Sequence, residues 1–344
     1  MPEFRRGPIN DRWVIIAPER AKRPSDYKQK GPEQPAQPPE SCPFCPGNEE
    51  KTPPEIYRVQ EPEGSWRVRV VPNKFPALSD YPDLGCTAVE GIFDRMNGIG
   101  THEVIIETPE HAKEIPDLPI EQIKLIVDTY ILRLSKLREN EFYQYVLLFK
   151  NHGKEAGASL THPHSQIIAT PIVPSHVREM LQAAKAYYEQ KERCLFCDIL
   201  LTELQAEDRV IEVTDEYVVL TPYDSRFPFE MMIYPRVHSH DFTEMDEKTR
   251  WGLARALKRT LYRLKALLGD PPYNLVLHNS PNPAPRPGEP KYWSILPYDY
   301  HWRMEVIPRL TKLAGFEWGT GFYINPMPPE DAARYLREVE IPED

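Results

Sequence analysis

Apolar and polar positions along the chain form two successive series of strand and helix patterns, with the elements in the same order in both. Each series contains one long stretch with apolar residues at i, i+3, i+4 and i+7, which is typical of an amphipathic helix. These helices are predicted over 120–139 and 247–268. The predicted strands of the first series are 12–18, 65–72, 102–109, 145–151 and 164–170, and those of the second are 209–222, 229–235, 273–279 and 301–308.

The two series also correspond motif by motif. "HEVIIETPEH" is followed in the second half by "FEMMIYPRVH", "YVLLFKN" by "YNLVLHN", and "HPHSQII" by "HWRMEVI". With the long helix and a C-x-x-C pair in each half, these make five matching features in the same order. They predict duplication of an α+β unit, with the boundary in a connecting helix near 172–192. Two proline-rich loops are predicted, over 28–40 and 280–292.

Composition narrows the class of protein. The chain has 344 residues, of which 40% are hydrophobic, enough for a sizeable core. It has no run of 18 apolar residues, and its N-terminus lacks the apolar stretch of a signal peptide, so we expect a cytoplasmic protein without a membrane span. A formal charge of −10 disfavours a general nucleic-acid surface.

Four of the five cysteines form two C-x-x-C pairs, Cys42 with Cys45 and Cys194 with Cys197. In a cytosolic chain such a pair indicates a metal site or a redox site more often than a structural disulfide. The first pair precedes a turn-rich stretch instead of opening a helix after a strand, which favours metal. The fifth cysteine, Cys86, is expected to be a buried, inert thiol.

Each half supplies two cysteines and two histidines in corresponding places. Thiolate and imidazole together suit a tetrahedral zinc ion, and a closed set of four is the structural form of such a site. We therefore predict two structural zincs per chain, with His240 as an alternative to His238 in the second. The predicted ligands are Cys42, Cys45, His111 and His162 in one set and Cys194, Cys197, His238 and His301 in the other.

The stretch "THPHSQ" places His162 and His164 two positions apart, on the same side of a strand. Both can bind metal, both can act on a substrate, or each can have its own role. The second half keeps the first histidine as His301 but has Arg303 in place of the second and Glu305 in place of Gln166. This difference indicates separate roles for the two histidines, because only the first is kept in the second half.

The chain resembles the galactose-1-phosphate uridylyltransferases, the transferase branch of the histidine-triad superfamily, over nearly its whole length. The motifs that carry the resemblance are "GPINDRWVIIAPERAKRP" (7–24), "CPFCPGNE" (42–49), "TPEH" (108–111), "KNHGKEAGASLTHPHSQ" (150–166) and "AGFEWGTGFYIN" (314–325). The implied fold is α+β, with two tandem histidine-triad-like domains at 1–190 and 191–344, each a mainly antiparallel sheet with packed helices. Only the first would carry the nucleophile.

The resemblance implies a ping-pong reaction. His164 would attack the α-phosphorus of UDP-glucose, release glucose 1-phosphate and pass the uridylyl group to galactose 1-phosphate. Gln166 would hydrogen-bond a phosphoryl oxygen, since an amide does not exchange protons near pH 7 as the histidine of the related hydrolases does. His162 would bind zinc, with iron as an alternative metal in the second site.

Further residues are implied by matching motifs. Nucleotide and phosphate contacts fall on Arg20, Arg23, Asn73, Asn151 and Ser159. The hexose 1-phosphate segment carries Lys312, Phe316, Glu317 and Tyr323. In the family this segment and one of the arginines reach the partner subunit's site, so a homodimer with shared active sites is expected.

Some positions depart from the family pattern. Ser165 and Phe316 stand where well-known members have Gly and Tyr, and the second metal site of those members uses a carboxylate and three histidines instead of Cys194 and Cys197. The cysteine pair also resembles the related ADP-glucose phosphorylases, which place an adenylyl group on the same histidine and release it to inorganic phosphate. That activity is the alternative. A zinc-ribbon interaction module is disfavoured by the acidic charge, and a dinucleotide hydrolase by Gln166.

Overall fold

The computed structural model of the protein describes residues 1–9, 12–20, 23–27, 38–80, 83–89, 91–284 and 294–342. Its strands are β1 Glu3–Arg6, β2 Trp13–Ile16, β3 Tyr57–Gln60, β4 Trp66–Pro72, β5 Thr87–Val89, β6 Phe93–Arg95, β7 Thr101–Ile106, β8 Tyr145–His152, β9 His164–Thr170, β10 Val210–Val213, β11 Tyr217–Leu220, β12 Met231–Pro235, β13 Tyr273–His278, β14 Arg303–Pro308 and β15 Tyr323–Asn325. Its α-helices are α1 Pro24–Tyr27, α2 Ile120–Arg138, α3 Ser175–Lys191, α4 Leu195–Ala206, α5 Glu247–Leu268, α6 Leu296–Asp299, α7 Gly315–Thr320 and α8 Pro329–Arg337.

Ten of these strands form one sheet, in the order β10-β11-β12-β14-β13-β8-β9-β7-β4-β3. Every neighbouring pair in it is antiparallel. The order of the first five strands repeats that of the last five about the β8–β13 pair, where Phe149 lies opposite Val276. The predicted duplication and the antiparallel α+β class are therefore confirmed, and the two sheets are joined edge to edge into one.

The strand register differs between the two halves by one residue on each side of the aligned motif. Aligning "HPHSQ" with "HWRME" makes Gln166 and Glu305 equivalent. Gln166 lies opposite Val104 and Phe149. Glu305 lies opposite Met232, one residue after the aligned Met231, and opposite Val276, one residue before the aligned Leu277. Because the two offsets run in opposite directions, no single shift of the motif fits both, and Glu305 stays equivalent to Gln166.

The two long helices pack on the same face of the sheet. In α2 the buried residues Ile123, Val127, Tyr130 and Leu134 recur at helical spacing. The helix α5 is capped at its N-terminus by Asp246, whose carboxylate accepts a hydrogen bond from the Thr249 backbone N–H at 2.8 Å. It is capped at its C-terminus by Gly269, which has the left-handed conformation with φ of 75°. Both helices contribute to a single hydrophobic core.

Smaller elements complete the molecule. The strands β1, β2 and β15 form a separate sheet, in which the chain's two ends meet, since β15 pairs in parallel with β2. The pattern analysis does not predict α4 or α8. It is wrong about Cys86, which is exposed because it precedes the two-stranded ribbon β5–β6, outside the main sheet.

Two sequence predictions have only partial counterparts in the structure. Residues 28–37 and 285–292, which make up most of the two proline-rich loops, lie outside the described residues. The domain boundary after residue 190 stays a prediction. No helix in the described part of the chain has the length and apolar character needed to cross a membrane.

Candidate active site and Cys/His clusters

The first predicted ligand set comes together in the structure. Cys42, Cys45 and His162 are buried, and the Cys45 Sγ lies 3.1 Å from His111 Nδ1 and 3.5 Å from His162 Nδ1. His162 donates from Nε2 to the Thr108 carbonyl at 2.8 Å. That hydrogen bond fixes the ring so that its Nδ1 lone pair points at the thiols.

The second set has the same arrangement. Cys197 Sγ lies 3.2 Å from His238 Nδ1 and 3.5 Å from His301 Nδ1. His238 donates from Nε2 to the Pro297 carbonyl at 2.9 Å. Of the two alternatives left open by the sequence, His238 lies in the cluster with the cysteines, whereas His240 is grouped with Asp241 and Glu244.

The donor atoms of each set fit a tetrahedral metal ion. Within each set the four ligand atoms all lie within 4.8 Å of one another. Around a zinc ion with bonds of about 2.0–2.3 Å, neighbouring donors are about 3.5 Å apart, close to the spacing seen here. Burial lowers the pKa of His162 to about 4, so its imidazole is neutral and able to coordinate. The two clusters can thus bind metal.

His164 begins β9 and is only 5% exposed. Its Nδ1 donates to the carbonyl of His162 at 2.8 Å, so Nε2 keeps its lone pair. The edge of the Phe44 ring packs against the imidazole, with ring centroids 5.4 Å apart. Burial lowers the pKa of His164, although its hydrogen bond to the His162 carbonyl opposes the shift. A neutral, oriented imidazole results.

Gln166 lies two positions along the same face of β9. His102 Nε2 is 2.8 Å from Gln166 Oε1 and 3.1 Å from Asn73 Nδ2. The Asn73 amide is held by the Phe75 backbone N–H, which donates to Asn73 Oδ1 at 2.9 Å. His102 therefore joins two residues that the sequence assigned to the nucleotide site.

Asn151 is fixed across the joint between the two halves. Asn274 of β13 donates from its side-chain amide to Asn151 Oδ1 and to the Ala156 carbonyl, each at 2.8 Å. Ser159 is exposed on the loop that leads to β9, just after Gly157, whose φ of 91° favours glycine.

Beneath the strand that carries His164 lies a buried polar network. Successive strand residues face opposite sides, so Ser165 points away from His164, toward α2. Ser165 donates to the Glu107 carboxylate, and the Tyr130 hydroxyl donates to the same Glu107 oxygen at 2.8 Å. Lys150 donates to the other Glu107 oxygen at 2.8 Å, and Lys150 and Glu107 are 1% and 0% exposed.

This network continues to the molecular surface. Glu114 accepts from Lys150 at 3.0 Å and from His152 at 3.2 Å, and His152 also pairs with Asp270 at 3.2 Å. Burial disfavours the Glu114 carboxylate, but Lys150 and His152 together lower its pKa to about 2. Burial likewise opposes charge on His152, yet hydrogen bonds to Asp270 and Glu114 raise its pKa to about 9. The cations and carboxylates alternate along the network.

The remaining predicted substrate residues lie apart from His164. No hydrogen bond or ring contact among the described residues links the segment 312–323 to His164; Tyr323 instead contacts Phe227, with ring centroids 5.6 Å apart. Arg20 and Phe316 are exposed. The side chains of Arg23 and Lys312 are also exposed, and that of Glu317 is half-buried.

Sequence reasoning missed several groups around the site. His102 was assigned no role, although it lies on the strand beside β9, diagonal to Gln166. Glu107 and Lys150 carried a usable signal, since each is a charged residue directly after an apolar strand run. Phe44, between the first two cysteines, had no signal that distinguishes it from a core residue.

Comparison with known proteins agrees with this architecture. A profile of the galactose-1-phosphate uridyl transferase N-terminal domain matches residues 1–174, and one of the C-terminal domain matches residues 180–340. The chain belongs to the galactose-1-phosphate uridyl transferase family. The resemblance inferred from the motifs is thereby confirmed.

Two names recur among the similar proteins of this galactose-1-phosphate uridyl transferase family member. ADP-glucose phosphorylase of Arabidopsis thaliana is 38% identical over 341 residues, covering 99% of this chain and 93% of that protein. Galactose-1-phosphate uridylyltransferase of Thermotoga maritima is 31% identical over 348 residues, covering 99% of each. A crystal structure of the Arabidopsis thaliana ADP-glucose phosphorylase with bound ADP-glucose matches with a TM-score of 0.82 and 34% identity, over 99% of this chain and 100% of that one.

Replacing Lys150 tests the buried network. Lys150→Met leaves Glu107 and Glu114 without their shared cation, and removing one partner of a buried pair costs about 3–5 kcal/mol. Urea denaturation should show a loss of that size in the free energy of unfolding. The matched control is Lys136→Met, which breaks only the exposed pair with Glu139 and should cost less than about 1 kcal/mol. Equal losses in both variants would contradict the network's importance.

His152 gives the network a pH dependence. Its folded pKa of about 9 lies above the unfolded value of 6.5, so its stabilising effect is complete below pH 6.5 and is lost as the pH rises through 9. Wild type should be more stable than His152→Gln by about 1–3 kcal/mol at pH 6, and this difference should shrink by pH 9.5. Urea titrations of both proteins at a series of pH values measure it. A difference that does not vary with pH would show that folding leaves the pKa of His152 unchanged, which contradicts the prediction.

Proposed function

We propose that this protein transfers UMP from UDP-glucose to galactose 1-phosphate through a covalent uridylyl group on His164. The observation that carries the proposal is the hydrogen bond from His164 Nδ1 to the His162 carbonyl at 2.8 Å. It leaves the Nε2 lone pair free on a neutral ring, the form in which imidazole acts as a nucleophile. Membership of the galactose-1-phosphate uridyl transferase family supports the same chemistry.

The first step forms one bond and breaks one. The Nε2 lone pair of His164 attacks the α-phosphorus, and the bond to the bridging oxygen breaks, so that glucose 1-phosphate leaves with the electron pair. The proton on Nδ1 stays in place, and the His162 carbonyl stabilises the positive charge that the ring acquires. In the second step the phosphate oxygen of galactose 1-phosphate attacks the same phosphorus and displaces His164.

Gln166 and Asn151 would stabilise the negative charge on the phosphoryl group. If His102 donates to Gln166 Oε1, the amide NH₂ of Gln166 is free to donate to a phosphoryl oxygen. Asn274 engages the Asn151 oxygen in the same way, leaving the Asn151 NH₂ for a substrate oxygen. Neither amide can protonate a leaving group at neutral pH, which favours transfer to a sugar phosphate over hydrolysis.

Zinc would occupy both Cys/His clusters, with iron as an alternative in the second. The first ion would be held by Cys42, Cys45, His111 and His162, and the second by Cys194, Cys197, His238 and His301. A bound ion would supply rigidity, since it fixes ligands from separate segments of the chain. The His162 ring is one of those ligands, so an ion there would also fix the carbonyl that orients His164.

A homodimer would complete the active site. The segment with Lys312, Phe316, Glu317 and Tyr323 would contact the hexose phosphate in the partner's site, together with Arg20 or Arg23. Exposure of Arg20, Arg23, Lys312 and Phe316 in the single chain supports this arrangement.

The second candidate function is phosphorolysis of ADP-glucose through an adenylyl group on His164. The observation that favours it is the similarity to ADP-glucose phosphorylase, at 38% identity over 99% of this chain. Inorganic phosphate would then be the acceptor, and its oxygen would displace His164 from the α-phosphorus. The covalent step is the same, and only the nucleobase and acceptor differ.

Intact-mass measurement distinguishes the two candidates. The protein is incubated with UDP-glucose or with ADP-glucose in the absence of acceptor and quenched in mild alkali, because a phosphorus–nitrogen bond to histidine is labile in acid. With UDP-glucose we expect a uridylyl adduct on the protein and release of glucose 1-phosphate. Galactose 1-phosphate added afterwards should remove the uridylyl group from the protein. His164→Gly is the control and should form none.

An adenylyl adduct that is discharged by inorganic phosphate would favour the second candidate. If neither sugar nucleotide labels the wild type, covalent catalysis by His164 is wrong. Labelling of His164→Gly would exclude His164 as the attachment site.

Metal analysis tests the two clusters. Protein purified without chelator should contain about two ions per chain, counted as zinc plus iron. Cys42→Ser and Cys194→Ser should each lower the count by about one, and only Cys42→Ser should strongly slow adduct formation, because His162 belongs to the first cluster. Wild type without metal, or an unchanged count in both variants, would contradict the assignment.

A further inference from the structure

A cavity of about 370 Å³ lies in the second half of the chain, on the sheet face opposite α5. Its floor is formed by β12 and β14, and its walls by α3, α4 and the residues Pro8, Ile9 and Arg12. This is the face that corresponds to the His164 side of the first half, since β14 occupies the place of β9 in the repeat. Small-molecule sites have volumes of about 300–1,000 Å³.

Arg303 lies in this cavity at the position equivalent to His164. Its side chain is 1% exposed, and its Nε and Nη1 have no hydrogen-bond partner in the described structure. Its Nη2 donates to the Met180 thioether at 3.0 Å, and the guanidinium lies 4.6 Å from the centroid of the Phe196 ring. Neither neighbour carries a negative charge.

Each of the other cavity arginines has a carboxylate within ion-pair distance, which sets Arg303 apart. Arg226 pairs with Glu230 and Glu305. Arg209 pairs with Glu203 at 2.8 Å and Arg12 lies 3.7 Å from Asp224. No carboxylate among the described residues lies within ion-pair distance of Arg303. A buried guanidinium without a counter-ion is costly, and so is each buried N–H that has no acceptor.

The other charged groups of the lining offset one another, so the requirement for an anion is local to Arg303. Burial lowers the pKa of Arg12, and the charge of Arg226 lowers it further. Burial and then the charge of Arg303 lower the pKa of His278 to about 4, so this neighbour is neutral and contributes no charge beside Arg303. The unfilled requirement at this position is for an anion with several acceptor oxygens, which a guanidinium binds through paired N–H donors.

The rest of the cavity suits an organic group. Its lining includes Ile9, Leu195 and Met232 and the rings of Tyr187, Tyr223 and Tyr234. Apolar and aromatic walls with a few convergent polar groups are the usual composition of a small-molecule site.

We propose that the second half of the chain binds a small organic phosphate in this cavity, with its phosphoryl group on Arg303 and its organic part against the tyrosine and aliphatic walls. The nucleophile position of the first half thus corresponds to an anion-binding position in the second. The cavity binds its ligand whether or not His164 carries a nucleotidyl group.

Calorimetric titration of the metal-loaded protein with UMP, AMP, glucose 1-phosphate and inorganic phosphate tests the proposal. For at least one organic phosphate, Arg303→Met should bind one molecule fewer per chain than wild type does. Binding at the His164 site should be the same in both proteins. The matched control is Arg133→Met, which removes an arginine paired with Glu103 in the first half and should keep the wild-type count. An unchanged count in Arg303→Met, or binding of inorganic phosphate alone, overturns the proposal.

Thermal unfolding separates binding from a structural role. Because Arg303 is an unpaired buried cation, Arg303→Met without ligand should have a Tm equal to or above that of wild type, whereas Arg133→Met should lower it. Wild-type crystals soaked in the same phosphates give a test that does not depend on any variant. Density for a phosphoryl group at Arg303 supports the proposal, and a cavity without such density under saturating ligand overturns it.

Discussion

The pairing of β8 with β13 holds the two halves of this protein in one sheet, and the geometry of the site depends on it. Phe149 lies opposite Val276 at the centre of the joint, so both copies of the repeat share a continuous hydrogen-bonded ladder. The same joint places Asn274 of the second half against Asn151 of the first. Asn151, beside the proposed nucleophile, is therefore oriented by a residue of the other half, which gives the second half a structural role in the site.

On one side of β9 the backbone of His162 connects the first Cys/His cluster to the imidazole of His164. The His162 ring lies against Cys45, and the His162 carbonyl accepts a hydrogen bond from His164 Nδ1. On the other side, Ser165 is tied to Glu107, and Glu107 to Lys150. Alternating side-chain direction along a strand allows neighbouring residues to serve opposite faces in this way. The strand is held from both faces, which limits the ways in which His164 can move.

The two halves show how one framework can carry different chemistry. Each keeps a cluster of two cysteines and two histidines, and in each the last histidine comes two positions before the residue at the start of a central strand. That residue is His164 in one half and Arg303 in the other. An imidazole can form and release a bond to phosphorus, whereas a guanidinium can only bind an anion. The framework is retained because the clusters and the strand pairing do not depend on which side chain follows.

The amino-acid sequence by itself determined the repeat, the long helices, the main strands and the composition of both Cys/His sets, because periodicity and residue spacing are local or repeated signals. It also separated His162 from His164, because only the first histidine is kept in the second half. The tertiary structure decided what depends on contacts between distant segments: His238 over His240 in the second cluster, and His102 between Gln166 and Asn73. It likewise decided that Cys86 is exposed. It also decided that Arg303 is buried, with no carboxylate of the described residues within ion-pair distance. The burial of a side chain and the charged groups around it depend on which strands and helices pack together. Residue spacing along the chain does not encode that packing.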